Sequence, residues 1–498
     1  MNDFIPLVVI VPLLGAALCV VAARSRRVQR VVSLVALSSN VITAILLLVE
    51  VDDEGILVSQ AGGWRVPIGI TLTVDRLSAV MLVVSSLMLI SVMVYAIGLG
   101  DEEQRFSAFH PIYLALAAGV SASFVTGDLF NLFVAFEMML VASYVLLTLG
   151  GRRAQVRSGM TYVIISLIAS TFFVTALALL YASTGTVNMA ELADRIPDLP
   201  DGVRLGFSLL LVVVFGIKAG VFPLYFWLPD SYPTAPGAIT AVFAGLLTKV
   251  GVYAIIRSQT LLFPPDDRQG SLLLVIAALT MVVGVLGALA QDDMRRILSF
   301  HVISQIGYMI FGLALFSLAG IAGAVFYVVH HIAVKTSLFL VAGLVEFRTG
   351  SGRLSNVGGL VRSAPAVALL FAFPALSLAG LPPFSGFIAK FALVDAGIDD
   401  GAYLVVVASL VASLLTVMSM TKIWLAVFWG DAEAASVDRR LRASRSPLLM
   451  SIATGFVVAI SLALIVYADP VYDYAERAAT ELLEPAQYVE AVLGGDDR

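Results

Sequence analysis

Apolar residues in this chain gather into runs of about 18–25, long enough to cross a bilayer as helices rising 1.5 Å per residue. Polar, charged and glycine-rich segments separate the runs. Read this way, the pattern predicts about fourteen spans: 4–23, 31–49, 77–99, 108–126, 129–149, 159–182, 205–228, 236–257, 271–290, 299–319, 321–345, 364–397, 402–428 and 447–468. The twelfth is long and interrupted. The expected fold class is an all-α polytopic membrane protein with no room for a separate soluble domain. The first run has no basic leader and exceeds the apolar core of a signal peptide, so no cleavable signal is expected.

Composition agrees with the pattern. Of 498 residues 60% are hydrophobic and only 13% charged. The net charge of −5 says less than its distribution. Arg24, Arg26, Arg27 and Arg30 follow the first span, and Arg152, Arg153, Arg157, Arg295, Arg296, Arg348, Arg353, Arg362, Arg439, Arg440, Arg442 and Arg445 fall in later loops of the same parity. Opposite loops are acidic, as in Asp52-Asp53-Glu54 and Asp399-Asp400. The positive-inside rule then places both termini outside the cell membrane and predicts an even number of spans. The acidic last 30 residues are expected to form a short external helix. No basic soluble segment exists to bind nucleic acid. A single cysteine, Cys19, excludes an internal disulfide framework and a cysteine-held metal cluster, and is read as an apolar filler.

Lysine behaves differently from arginine. All five lysines, Lys218, Lys249, Lys335, Lys390 and Lys422, lie inside apolar runs, whereas nearly all 25 arginines lie between runs or at their ends. A lysine at the centre of a membrane helix costs roughly 2.5–3.5 kcal/mol to insert. Desolvation can bring a lysine pKa toward neutrality, which arginine resists. Lysines confined to the interior therefore suit a chain that loads and releases protons.

The lysines accompany other irregularities. The seventh span reads Phe215-Gly216-Ile217-Lys218-Ala219-Gly220-Val221-Phe222-Pro223, and the twelfth contains Ala379-Gly380-Leu381-Pro382-Pro383 with Lys390 beyond it. Proline removes a backbone donor, so each helix should break there. The two segments match at an offset of 160 residues (219 to 379), five spans apart, and would run antiparallel as an inverted repeat. Glu137 sits in mid-span, with Lys218 as its candidate ion-pair partner; opening that pair would change how tightly the lysine holds its proton. Lys249 follows Gly245-Leu246-Leu247-Thr248 and reads as a relay. Tyr327, His331 and Lys335, at i, i+4 and i+8, share a helix face as a polar wire. His330 adjoins them, but neighbouring histidines point about 100° apart, so no metal site is expected. His301 and Ser304 add polarity to the tenth span. Lys422 is read as snorkelling, Asp230 and Glu346 as interfacial, and Arg257 as an anchor near the outer surface.

Glu137, Lys218 before a Pro-broken segment, Lys249 after Gly-Leu-Leu-Thr, the His331–Lys335 pair and Lys390 after Leu-Pro-Pro-Phe-Ser-Gly-Phe together resemble the antiporter-like proton-channel subunits shared by respiratory complex I, membrane-bound hydrogenases and Mrp multisubunit cation/proton antiporters. The resemblance covers essentially the whole chain. Thr126-Gly127-Asp128-Leu129-Phe130-Asn131-Leu132-Phe133 and Pro223-Leu224-Tyr225-Phe226-Trp227-Leu228-Pro229-Asp230 look most like D-type Mrp subunits. Nothing after residue 468 could supply the lateral helix of the long complex I member, and the M-type complex I subunit typically carries glutamate where this chain has Lys390.

The resemblance implies fourteen core helices with two inverted five-helix repeats: residues 1–107, repeats at 108–260 and 261–430, and a last helix and tail at 431–498. It implies Glu137 and Lys218 as a modulating pair, Lys249 as central relay and Lys390 as terminal gate, with Pro223 and Pro383 at the breaks. It further implies a proton-translocating subunit of a Na+/H+ antiporter, partnered by other membrane subunits including a longer homologous one. The alternative is the same module in a redox-driven NADH:quinone oxidoreductase or hydrogenase. No haem, flavin, nucleotide or cluster motif occurs, so no cofactor is expected in this chain.

Overall fold

A computed structural model describes residues 2–64, 66, 68–100, 103, 105–430 and 447–494. The loop carrying Arg439, Arg440, Arg442 and Arg445 lies outside the described residues. Each apolar run forms helix. In chain order these are α1 (Leu7–Val21), α2 (Arg26–Glu54), α3 (Arg76–Leu99), α4 (Phe109–Val125), α5 (Leu129–Thr148), α6 (Arg153–Thr184), α7 (Asp201–Ala219), α8 (Gly237–Leu261), α9 (Gly270–Leu289), α10 (Met294–Leu315), α11 (Leu318–Thr349), α12 (Pro365–Ala379), α13 (Ser385–Asp399), α14 (Tyr403–Trp429) and α15 (Pro447–Val466). Twelve helices among the described residues are long and apolar enough to span a membrane. The 17-residue α4 and the broken pair α12/α13 account for the two remaining runs. The acidic tail forms two further helices, α16 (Ala468–Leu483) and α17 (Pro485–Leu493).

The sequence pattern missed one element. β1 (Leu57–Gln60) and β2 (Thr71–Val74) pair antiparallel between α2 and α3, with Leu57 opposite Val74. The alternation in Thr71-Leu72-Thr73-Val74 is the strand signal that was there to read.

Apolar side chains organise the bundle by radius. Ile164, Leu167 and Ile168 on α6 and Val407, Leu410 and Leu414 on α14 face outward, as lipid-facing positions require. By contrast α8 and α11 are buried along their whole spanning windows. The most polar helices thus form the centre, where backbone groups are internally satisfied and costly side chains find partners.

Ion pairs tie the described loops together at both ends of the bundle. Arg30 pairs with Glu103, Arg296 with Asp230, and Arg295 with Glu346 at one end. At the other end Asp52 meets Arg76 and Arg477, and Arg204 meets Asp201 and Asp267.

An internal repeat is visible in the hydrogen bonds. Leu129 N–H donates to Val187 O, and Met294 N–H to Gly352 O, both at 2.9 Å and 165 residues apart (129 to 294). Asp128 caps α5 at Asn131 N, and Asp293 caps α10 at Arg296 N. Asp128 bridges Asn188, and Asp293 bridges Arg353 in the matching place of the second copy. Each copy also has a glycine crossing between its first two helices. A Cβ on Gly119 would lie 2.7 Å from Met139 N, and one on Gly284 would lie 2.5 Å from Ser304 N, so neither position tolerates a side chain.

Candidate functional site

Both proline-marked helices end where the sequence predicts. Gly220 and Gly380 adopt left-handed conformations at φ +79° and +82°, which glycine accepts without Cβ strain, and α7 and α12 stop there. Pro223 and Pro383 follow cis peptide bonds just beyond. At the second break the last carbonyls of α12 lack helical partners, and Lys390 on α13 supplies one. Its Nζ donates to Leu378 O at 3.0 Å and Ala379 O at 3.3 Å, and sits 4.9 Å from the Tyr308 ring centre.

The first break is different. Lys218 is buried beside it, but its Nζ has no hydrogen-bond partner. Glu137 does not reach it as an ion pair. Its carboxylate instead accepts from Ser170 Oγ and acts on Lys218 through its field alone. A small cavity of about 10 Å³, roughly one water-sized probe, borders Lys218 with Tyr162, Ser166, Trp227 and Leu247.

Lys249 occupies a third kind of irregularity. Phe243–Leu247 form a π-helical turn inside α8, and Lys249 Nζ donates to Ala244 O and to Thr248 Oγ1 (3.3 Å). Such turns release carbonyls from the helical ladder and recur at functional sites. Across from it, Lys335 on α11 donates to Leu298 O at 3.3 Å.

Between Lys335 and Lys390 the structure brings the predicted Tyr327 and His331 together with further polar side chains. The Tyr327 and His331 rings stack at 6.3 Å, and Tyr308 stacks on Tyr327 at 5.2 Å. Tyr327 OH donates to Gln305 Oε1, and His301 Nε2 meets Ser419 Oγ at 2.8 Å. His330 turns away toward Ser385 Oγ at 2.9 Å, which links to Ser377 Oγ at 3.2 Å. Gln305, Tyr308, Ser170 and Ser385 were missed as site residues. Gln305, like the histidines, was marked by being polar within an apolar run. Both nitrogens of His331, and His301 Nδ1, His330 Nε2 and Gln305 Nε2, have no partner.

Three residues set aside from this row have structural duties. Lys422 does not snorkel: its Nζ donates to Leu289 O (3.1 Å) and Gln291 O (2.5 Å), capping the end of α9. Glu346 pairs with Arg295, tying α11 to α10. Arg257 is no surface anchor; it is buried against Asp75.

A bundle of membrane helices with broken segments and a buried row of lysines and histidines defines an integral, multi-pass protein of the ion-translocating type. A family profile described as NADH:quinone oxidoreductase/Mrp antiporter, TM, matches residues 126–416, and the chain belongs to that family. It is 41% identical to the D-type subunit of the Na+/H+ antiporter of Alkalihalophilus pseudofirmus, over 99% of this chain and 100% of that protein. Its fold matches a chain in the structure of the Mrp complex from a Dietzia species, with TM-score 0.91 and 33% identity over 99% of this chain and all of the other. A chain of the membrane-bound sulfane sulfur reductase, an archaeal respiratory complex, matches with TM-score 0.91 and 26% identity over the same shares.

Proposed function

We propose that this chain is the proton-translocating subunit of a multisubunit Na+/H+ antiporter, a transporter subunit rather than an enzyme. The observation that carries the reading is the row itself: the partly buried Glu137, then the buried Lys218, Lys249, Lys335 with His331, and Lys390. A proton held at one lysine passes to the next through water and through Tyr327, Gln305 and the histidines, whose unpartnered nitrogens can each take up or hand on a hydrogen bond. Glu137 tunes Lys218 through its field and is itself held by Ser170. Pro223 and Pro383 mark the breaks that open the helical ladder near the two terminal lysines.

The full-length match to a D-type antiporter subunit and to a chain of an Mrp complex supports assembly with other membrane subunits; that a longer homologous one is among them rests on the family resemblance alone. We place the arginine end at the cytoplasm and both termini outside the cell membrane, by the same charge rule as before. Two inverted repeats at 108–260 and 261–430 account for the matched hydrogen bonds.

Lys249→Met in the assembled complex, reconstituted in proteoliposomes, tests the reading. Sodium-driven proton movement should be lost while assembly persists; wild-type rates would overturn it. The sulfane sulfur reductase match keeps the redox-driven module as a second reading. Flavin and iron–sulfur partners co-purifying with the chain would favour it.

A further inference from the structure

The C-terminal helix α16 lies against α11, α3 and α8 at the acidic end and carries a carboxylate into their interior. Glu481 is 6% exposed. Its Oε2 accepts from Arg76 Nη1 (3.2 Å) and, more weakly, from Arg76 N (3.4 Å), while Oε1 is buried with no partner at all.

The surrounding charges explain why Glu481 is poorly served. Arg257 on α8 is committed to Asp75, the N-cap of α3, with Tyr253 and Tyr488 rings against its guanidinium. Arg76 is shared, giving Nε to Asp52 Oδ1 (3.3 Å) and Nη2 to Asp52 O (3.2 Å). Arg477, one turn back on α16, also goes to Asp52, at 2.8 Å. Tyr474 OH donates to Arg76 O at 3.1 Å, which seats α16 without adding charge. Asp52, Asp75, Arg76, Tyr253, Arg257, Tyr474, Arg477 and Tyr488 are thus the charged and titratable groups about Glu481. Of the arginines it receives one part-share.

We propose that Glu481 is a proton-binding site separate from the lysine row, and that its proton fastens α16 onto α3 and α8. A protonated Oε1 can donate a hydrogen bond and no longer opposes Asp75. An ionised one must be held dry beside another carboxylate. Burial, and then the facing Asp75, push the Glu481 carboxyl up to about 7 against the pull of Arg257 and Arg76. A group whose pKa is raised on docking favours docking while it is protonated. Attachment is therefore firmest below the ordinary carboxyl pKa of about 4.3 and weakens as pH rises to 7, by on the order of 10²-fold in the docking equilibrium.

Hydrogen–deuterium exchange of the chain with its native partners in nanodiscs, read on peptides covering 468–493 between pH 5.5 and 9 and corrected for intrinsic exchange, tests this. Protection in the wild type should fall as pH rises from 5.5 and level off near 7. Glu481→Gln, which mimics the protonated form, should keep its protection at high pH. Asp75→Asn retains the capping oxygen but removes the facing charge, and should make protection level off at a lower pH. Protection that ignores pH, or a pH-dependent fall unchanged in both variants, would overturn the proposal.

Discussion

Replacing Lys218 with methionine should separate what this fold needs from what its function needs. Lysine at the centre of a membrane costs roughly 2.5–3.5 kcal/mol to insert. At Lys390 two carbonyls return part of that cost, at 3.0 and 3.3 Å. At Lys218 no hydrogen bond returns any of it, because Nζ is unpartnered and Glu137 acts only through its field. Methionine keeps the length and flexibility of the side chain and removes the buried charge. Lys218→Met should thus leave stability unchanged or raise it by about 1–3 kcal/mol, as when a buried charge is replaced by an apolar group of similar volume. Proton movement should fall by about 10²-fold or more, the usual scale for losing a positioned proton-transfer group. The assay pairs thermal unfolding of the purified complex with dissipation of a pH gradient by Na+ in proteoliposomes. Two results would refute the reasoning: a variant that unfolds more easily than wild type, meaning that Lys218 holds structure, or one that transports normally.

The remaining predictions concern residues outside the row. Lys422→Met strips a cap from two carbonyls, the last of α9 and one just beyond it, and should cost about 1–3 kcal/mol in thermal unfolding, while transport per assembled complex stays at the wild-type rate. Gly284→Val drives side-chain atoms into the backbone of Ser304, and should cost about 3 kcal/mol or abolish assembly, read as complex yield after size-exclusion chromatography. Burial pushes the Glu103 carboxyl up, but hydrogen bonds from His110 and Arg30 outweigh it and hold it at about 2. Its depressed pKa stabilises the fold above the ordinary carboxyl pKa and ceases to do so as pH falls toward 2. Glu103→Gln should thus cost about 2–3 kcal/mol at pH 7, with a gap to wild type that is constant from pH 6 to 8 and narrows below pH 4.5 in thermal unfolding.

What the sequence carried openly was anything that a single span can show. An apolar run of the right length has one stable form in a bilayer, so α1 to α15 follow directly from the runs. The breaks at Gly220 and Gly380 were legible because proline and glycine act on the backbone where they stand. The buried lysines announced themselves by their cost. What could not be read depended on partners far along the chain. Arg257 passes for a surface anchor until α16 brings Glu481 alongside, 224 residues on (257 to 481), and Asp75 closes the other side. Lys422 passes for a snorkelling residue until α9 ends beside it. Glu137 and Lys218 suggest a direct pair because their charges are opposite, yet the packing of α6 gives Glu137 a serine instead.

The lysines of the row lean mostly on backbone oxygens: Ala244 O for Lys249, Leu298 O for Lys335, and Leu378 O and Ala379 O for Lys390. A carbonyl dipole steadies an ammonium but has no charge to be stranded when the proton leaves. Four buried lysines also share the row with a single, partly buried carboxylate, Glu137, so charges on neighbouring lysines repel one another. On the proposed relay reading, the row would work with empty places. A proton arriving at one end would advance only where the next seat is vacant, and what would travel through the chain in the opposite sense is the vacancy itself.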